Sequence, residues 1–119
     1  MKRMTKIVLI CITIGIMVAC TKTPVTGDLF ISAEWQTVPE QDVEVWIYES
    51  YDKFVGYEYL DKQFSDEFGE VFFANLQPGW YYLEAEKMKS SQFTIYKFDS
   101  VEVLPDRQIN KILVMEPAK

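Results

Sequence analysis

From Asp28 onward, hydrophobic and polar residues alternate with a period of two, the mark of strands that bury one face. In DLFISAEW, Leu29, Ile31, Ala33 and Trp35 fall on one side, with Phe30, Ser32 and Glu34 on the other. In VEVWIYE, Val43, Val45 and Ile47 oppose Glu44, Trp46 and Tyr48. Tyr57 to Phe64 is rich in strand formers but mixed. EVFFANL places Val71 and Phe73 together. WYYLEAE sets Tyr81, Leu83 and Ala85 against Trp80, Tyr82, Glu84 and Glu86. Phe93 to Leu104 has the length of one bent strand or two short ones, and KILVME closes the series.

The punctuation agrees with this division. VPEQD, SDEFG, LQPG and LPDRQ separate the runs with turn-forming residues. Pro78-Gly79 predicts a type II turn, in which Pro fixes φ and Gly takes the positive φ that follows. The chain thus reads as all-β: seven strands in an antiparallel sandwich, with no strong helix. EAEKMKSS has the composition for one helical turn at most.

The first 20 residues follow other rules. Lys2, Arg3 and Lys6 precede an apolar run from Ile7 to Ala19. That run is shorter than the about 20 residues a spanning helix needs and fits a secretory signal. It ends Met17-Val18-Ala19-Cys20, which resembles the lipobox of bacterial lipoproteins, with Met17 where Leu is usual. The resemblance implies cleavage before Cys20 and acylation of its thiol. Residues 1–19 are then the signal, 20–27 a lipidated tether, and 28–117 one domain. Several acyl chains hold such a protein stably at a bilayer. Thr21 after the Cys implies sorting to the outer membrane of a Gram-negative cell. The tether TKTPVTG has no acidic cluster, so the periplasmic face is expected, with the cell surface as the other outcome.

Processing removes both thiols from use: Cys11 leaves with the signal and Cys20 carries lipid. Removing Lys2, Arg3 and Lys6 leaves 9 basic against 18 acidic residues, a net charge of −9 instead of −6. So acidic a domain is a poor match for nucleic acid or for lying flat on anionic lipid.

SDEFGEVFFANLQPGWYYLEA, from Ser65 to Ala85, resembles the signature of prealbumin-like (transthyretin-like) domains. These include the carboxypeptidase regulatory-like and collagen-binding B-type families. The matching positions are Asp66, Gly69, Val71, Phe73, Leu76, Pro78, Gly79 and Tyr81. The resemblance implies a prealbumin-like sandwich with Tyr81 in its core and leaves function open. It implies no hydroxyisourate hydrolase, because that activity relies on His and this chain has none. It implies no Lys-Asn isopeptide bond either, because Asn110 has no Lys on the first strand to join.

The chemistry left is sparse. Without His or a free thiol, neither a nucleophile–His dyad nor a zinc or copper site is expected. Asp66, Glu67 and Glu70 lack the spacing of a calcium loop and read as a turn. No catalytic residue, metal or cofactor is therefore assigned. All 18 aromatics lie beyond Cys20. Trp35, Phe73, Tyr81 and one of Phe93 and Phe98 suffice for the core. Phe30, Trp46, Tyr48, Phe72, Trp80 and Tyr82 are left for the outer faces. Rings in such patches mark binding surfaces. The sequence thus points to a non-catalytic, membrane-anchored module with Trp46, Tyr48, Trp80 and Tyr82 as its binding residues. The expected partner is an envelope protein. The alternative is a glycan, with Glu44 or Glu84 accepting its hydroxyl hydrogens. Spaced, exposed rings in a shallow groove would favour the glycan, and a contiguous flat patch the protein.

Overall fold

The computed structural model describes residues 25–118. The signal, Cys20 and most of the tether lie outside them. The strands are β1 (Gly27–Trp35), β2 (Val38–Pro39), β3 (Glu44–Tyr48), β4 (Asp61–Phe64), β5 (Glu70–Leu76), β6 (Gly79–Ser90), β7 (Phe93–Val103), β8 (Gln108–Val114) and β9 (Glu116–Pro117). A five-residue helix, α1 (Tyr51–Val55), follows β3. One sheet runs β9-β7-β6-β3-β4. In the other, β8 lies along one edge of β1, while β5 and the short β2 share the opposite edge.

The inward residues are those the alternation marks. Leu29, Ile31, Ala33, Val43, Val45, Ile47, Leu83 and Ala85 have no exposed surface, and Phe73 and Tyr81 are buried with them. Each fully buried aliphatic side chain contributes about 1.5–3 kcal/mol. Trp35 packs at the margin of this core. Phe93 does not enter it: the ring is exposed and tilts over Trp35, centroids 5.7 Å apart.

The strand expectations need four corrections. Nine strands replace seven, because two-residue pairings add β2 and β9. The sandwich is not wholly antiparallel, since β8 runs parallel to β1 from Asp28↔Gln108 to Glu34↔Val114. The cause is the turn at Pro105 to Arg107, which carries the chain from one sheet to the other beside the start of β1. There Asp106 N–H donates to the Thr26 carbonyl (2.9 Å) and Asp28 N–H to the Arg107 carbonyl (3.0 Å). Glu84 to Ser90 is strand rather than helical turn, paired with β7 throughout most of its length. Finally, α1 forms where no helix was expected, capped by the Ser50 hydroxyl accepting from Lys53 N–H at 3.1 Å.

Two turns fix the frame. Asp66 Oδ1 accepts from the N–H groups of Phe68 and Glu70, each at 2.9 Å, and Gly69 takes φ +75°. This is the local role expected of that acidic turn. At the Pro78-Gly79 corner, φ of Gly79 is +147°, well past the about +80° of a type II turn. The corner is closed instead by the Tyr81 hydroxyl, which donates to the Gln77 carbonyl at 2.6 Å. That is the arrangement of a tyrosine corner.

The β1–β2 hairpin turns through Gln36 and Thr37, at φ +53° and +67°. Two positive φ values are the type I′ geometry that Asn-Gly suits best. A left-handed conformation costs an ordinary residue about 1–2 kcal/mol. Changing Gln36-Thr37 to Asn-Gly is therefore expected to add about 1–2 kcal/mol and to raise the melting temperature by about 4–8 °C per kcal/mol. A melt followed by circular dichroism that shows no rise would contradict the hairpin geometry.

Candidate functional site

The outer face of the five-stranded sheet is a grid set by register. One row holds Phe64, Glu44, Glu86, Tyr96 and Glu116, one residue from each strand. The next holds Lys62, Trp46, Glu84 and Phe98. Tyr48, Tyr82 and Ser100 make a third, and Trp80 faces Glu102 beyond it.

α1 covers the third row. Phe54 sits edge-on to Tyr48 (5.3 Å) and tilted over Phe98 (4.6 Å), while Tyr51 meets Tyr82 at 6.0 Å. Tyr82 and Phe98 stack at 6.0 Å. The four sequence-marked rings therefore have different environments. Tyr48 is 2% exposed, which corrects its place among exposed binding residues: it points outward as alternation requires, but Phe54 closes over it. Trp46 and Tyr82 are half-buried, and Trp80 is 58% exposed. They do not form one flat patch. Phe98, one of two rings offered to the core, belongs to this outer cluster.

Glu84 lies at the centre. Its Oε1 accepts from the Tyr48 hydroxyl (3.0 Å) and its Oε2 from the Tyr96 hydroxyl (3.1 Å). Burial, together with the hydrogen bond and charge of Glu84, pushes the Tyr48 phenol far above its usual value. The same causes push Tyr96 up to about 12. Both hydroxyls therefore stay protonated as donors at neutral pH. A carboxylate offers about four lone-pair directions, so Glu84 retains acceptor capacity.

Beside it, Glu86, Tyr96, Lys97, Phe98, Glu116, Pro117 and Ala118 line a shallow groove of about 600 Å³. Lys97 Nζ is 3.0 Å from Glu116 Oε2. The groove thus combines ring faces, carboxylate acceptors and an ammonium donor. Sequence reasoning missed Tyr96, Phe98, Glu86 and Glu116 as a group. The alternation of Ile95, Val101 and Val103 with Tyr96 and Phe98 carried the signal for the first two.

A second charged centre is structural. Glu40, 8% exposed, accepts from Lys87 Nζ (2.6 Å) and Lys89 Nζ (2.7 Å) through Oε2. Burial raises its pKa, but the two ammonium groups outweigh this and hold the carboxyl below the ordinary glutamate value. A lowered folded pKa gives stability that is full above the unfolded value and is lost as pH falls towards the folded one. Acid unfolding of Glu40→Gln is therefore expected to show a shallower loss of stability below the ordinary glutamate range than wild type. Identical acid limbs would contradict this pairing.

Among the described residues, no group of three or more His, Cys, Asp or Glu is placed to hold a metal ion, and no helix is long and apolar enough to cross a membrane. No family model matches the chain, and no curated protein matches it. Among solved structures, the chain is similar to a crystal structure from Pseudomonas aeruginosa named a "putative carbohydrate binding protein". The TM-score is 0.51 at 15% identity, over 80% of this chain and 92% of that one. At that identity the likeness is one of fold, and it agrees with an all-β sandwich.

Proposed function

We propose that this protein is a non-catalytic carbohydrate-binding module, held at a bacterial membrane through acylated Cys20. The observation that carries the binding role is the shallow groove lined by the rings of Tyr96 and Phe98 together with Glu86, Glu116 and Lys97. Sugars offer apolar ring faces and a rim of hydroxyls. A half-buried aromatic beside charged acceptors and donors answers both. Trp46 and Glu84 extend the same chemistry into the next row. The name of the Pseudomonas structure is in keeping with this reading.

The finer features follow the sequence. The Ser65 to Ala85 motif and the Tyr81 corner support a prealbumin-like sandwich. The lipobox-like end of the signal supports lipidation, and Thr21 supports the outer membrane, facing the periplasm. The absence of His and of a free thiol after processing supports a binding rather than a catalytic role.

A protein partner is the second reading, and one observation favours it. On the outer face of the other sheet, Phe30 and Phe72 meet at 6.4 Å, and Ile112 and Val114 are more than half exposed nearby. These outward apolar residues sit on three adjoining strands, as a protein contact would use.

Affinity electrophoresis through gels holding a panel of neutral, acidic and amino polysaccharides tests the main reading. Retardation of wild type by at least one polysaccharide is expected. Loss of the Tyr96 ring in a folded Tyr96→Ala variant is expected to weaken it about tenfold, the scale of one well-packed aromatic contact. No retardation in any gel would overturn the carbohydrate reading.

A further inference from the structure

We propose that the ligand is an extended, β-1,4-linked oligosaccharide lying across the strands, with alternate units stacked on Trp46 of β3 and on the Tyr96 and Phe98 rings of β7. This rests on the carbohydrate reading and specifies its ligand class.

The first ground is the spacing of the rings. Trp46 stands on β3 and the other two rings on β7, with β6 between them. Neighbouring strands are about 4.8 Å apart, so the two ring positions are separated by about 9.6 Å. In a β-1,4-linked pyranose chain each unit is turned over relative to the last. The same ring face therefore returns at every second unit, an interval close to two strand spacings. An α-1,4-linked chain coils and does not return a face to one side at that interval.

The second ground is direction. α1 covers the third row of the face, with Phe54 over Tyr48, Tyr51 against Tyr82, and Phe54 again against Phe98. The helix thus forms a bank that crosses β3, β6 and β7. The rows left open beside it run in the same direction, across the strands. A chain lying against this bank passes over Trp46, then β6, then the groove.

The third ground is what lies between and beyond the rings. The second row reads Trp46, Glu84, Phe98: ring, carboxylate, ring. A unit between the two stacked ones meets Glu84, which accepts its hydroxyl hydrogens in charge-assisted bonds. The Tyr48 and Tyr96 hydroxyls each hold one oxygen of that carboxylate, which fixes it before any ligand arrives. Past β7 the groove continues to Glu116 and Pro117. Its volume of about 600 Å³ is several times that of one pyranose unit, and Trp46 lies outside its lining. A single sugar leaves most of this surface unused.

The test is calorimetric titration of the folded domain with β-1,4-linked oligomers of glucose and of N-acetylglucosamine, from disaccharide to tetrasaccharide. The α-1,4-linked glucose tetrasaccharide serves as the comparison of linkage. In at least one β-linked series the trisaccharide is expected to bind about tenfold tighter than the disaccharide, the scale of one further aromatic contact. The α-linked tetrasaccharide is expected to bind at least about tenfold weaker than the β-linked one. In Trp46→Ala the trisaccharide is expected to fall to the affinity of the disaccharide. Phe68→Ala, at an exposed ring of the Asp66 turn, is expected to change nothing. Melting curves verify that each variant is folded, and the length and linkage comparisons need no variant. Equal affinity for disaccharide and trisaccharide, or for the two linkages, would overturn this assignment and leave the carbohydrate reading standing. Binding of no oligomer while some polysaccharide retards the protein would do the same. Binding of none, with no polysaccharide retarding it, would overturn both. A gain with length that survives in folded Trp46→Ala would overturn the placement of the chain.

Discussion

Replacing Tyr48 with Ala is expected to lower stability by about 3–5 kcal/mol, the range for truncating a buried aromatic. Tyr48 stands on the outer side of its sheet yet is 2% exposed, because Phe54 of α1 covers its ring. Its removal leaves a cavity under the helix and takes away the donor to Glu84 Oε1. Tyr48→Phe keeps the ring and loses only the hydroxyl, so it is expected to lower stability by about 1 kcal/mol. The two variants separate packing from hydrogen bonding. Chemical denaturation gives both values, provided the slope with denaturant is unchanged. Were Tyr48 a solvent-facing ligand contact, its truncation would change stability by no more than about 0.5 kcal/mol.

The second large effect is expected at Gly69. Its φ of +75° strains any residue with a Cβ. A Cβ built there would also lie 2.6 Å from the Ala33 carbonyl oxygen and 3.0 Å from the Glu40 nitrogen, both backbone atoms. The Gly69 carbonyl meanwhile accepts from Ala33 N–H at 2.7 Å, so retreat would break a bond that ties β1 to the Asp66 turn. Left-handed strain of about 1–2 kcal/mol and overpacking of about 1–3 kcal/mol together predict a loss of about 2–5 kcal/mol for Gly69→Ala. A urea midpoint within error of wild type would contradict the described approach of β1 to this turn. Asp66→Ala provides a comparison. It removes the acceptor of two N–H groups without crowding, and is expected to lower stability by about 1–2 kcal/mol.

The sequence showed the core more clearly than the site, for physical reasons. Strand period exposes inward positions directly, so Leu29, Ile31, Val43, Val45, Ile47 and Leu83 were legible one by one. Turn residues were legible because Asp, Gly and Pro act locally. What alternation does not report is what covers an outer face. Tyr48 and Trp80 have the same outward phase. One is closed by a ring from α1, and the other is open to solvent. α1 itself is five residues long, too short to show a helical period, and only Ser50 signals its start. Aromatic bulk offers one of Phe93 and Phe98 to the core, but bulk alone does not settle which face a ring takes. The register of Phe98 opposite Glu84 puts it outside. The parallel pairing of β8 with β1 joins residues about 80 positions apart and depends on long-range closure rather than local pattern. EAEKMKSS continues as strand because its backbone pairs with Phe93 to Phe98 of β7, and Lys87 and Lys89 reach Glu40, a partner more than 40 residues away.

These points change the weight of the two partner classes. The four marked rings were expected to act together. The structure separates them into a Tyr48 closed under α1, a half-buried Tyr82 beside it, a half-buried Trp46 next to Glu84, and an exposed Trp80 at the far end. The open part of the face is a groove with alternating rings and charges. That is why the carbohydrate reading leads here, although sequence alone put a protein partner first.

Carbohydrate binding at the groove is best tested by a nitrogen-15 chemical-shift titration of the domain with the oligosaccharide that retards it most. Graded, saturable shifts confined to Glu84, Glu86, Tyr96, Lys97, Phe98 and Glu116 are expected, with the Trp46 indole N–H moving in step. Shifts gathered instead on Phe30, Phe72 and Ile112 of the opposite sheet, or none at all up to millimolar sugar, would contradict it.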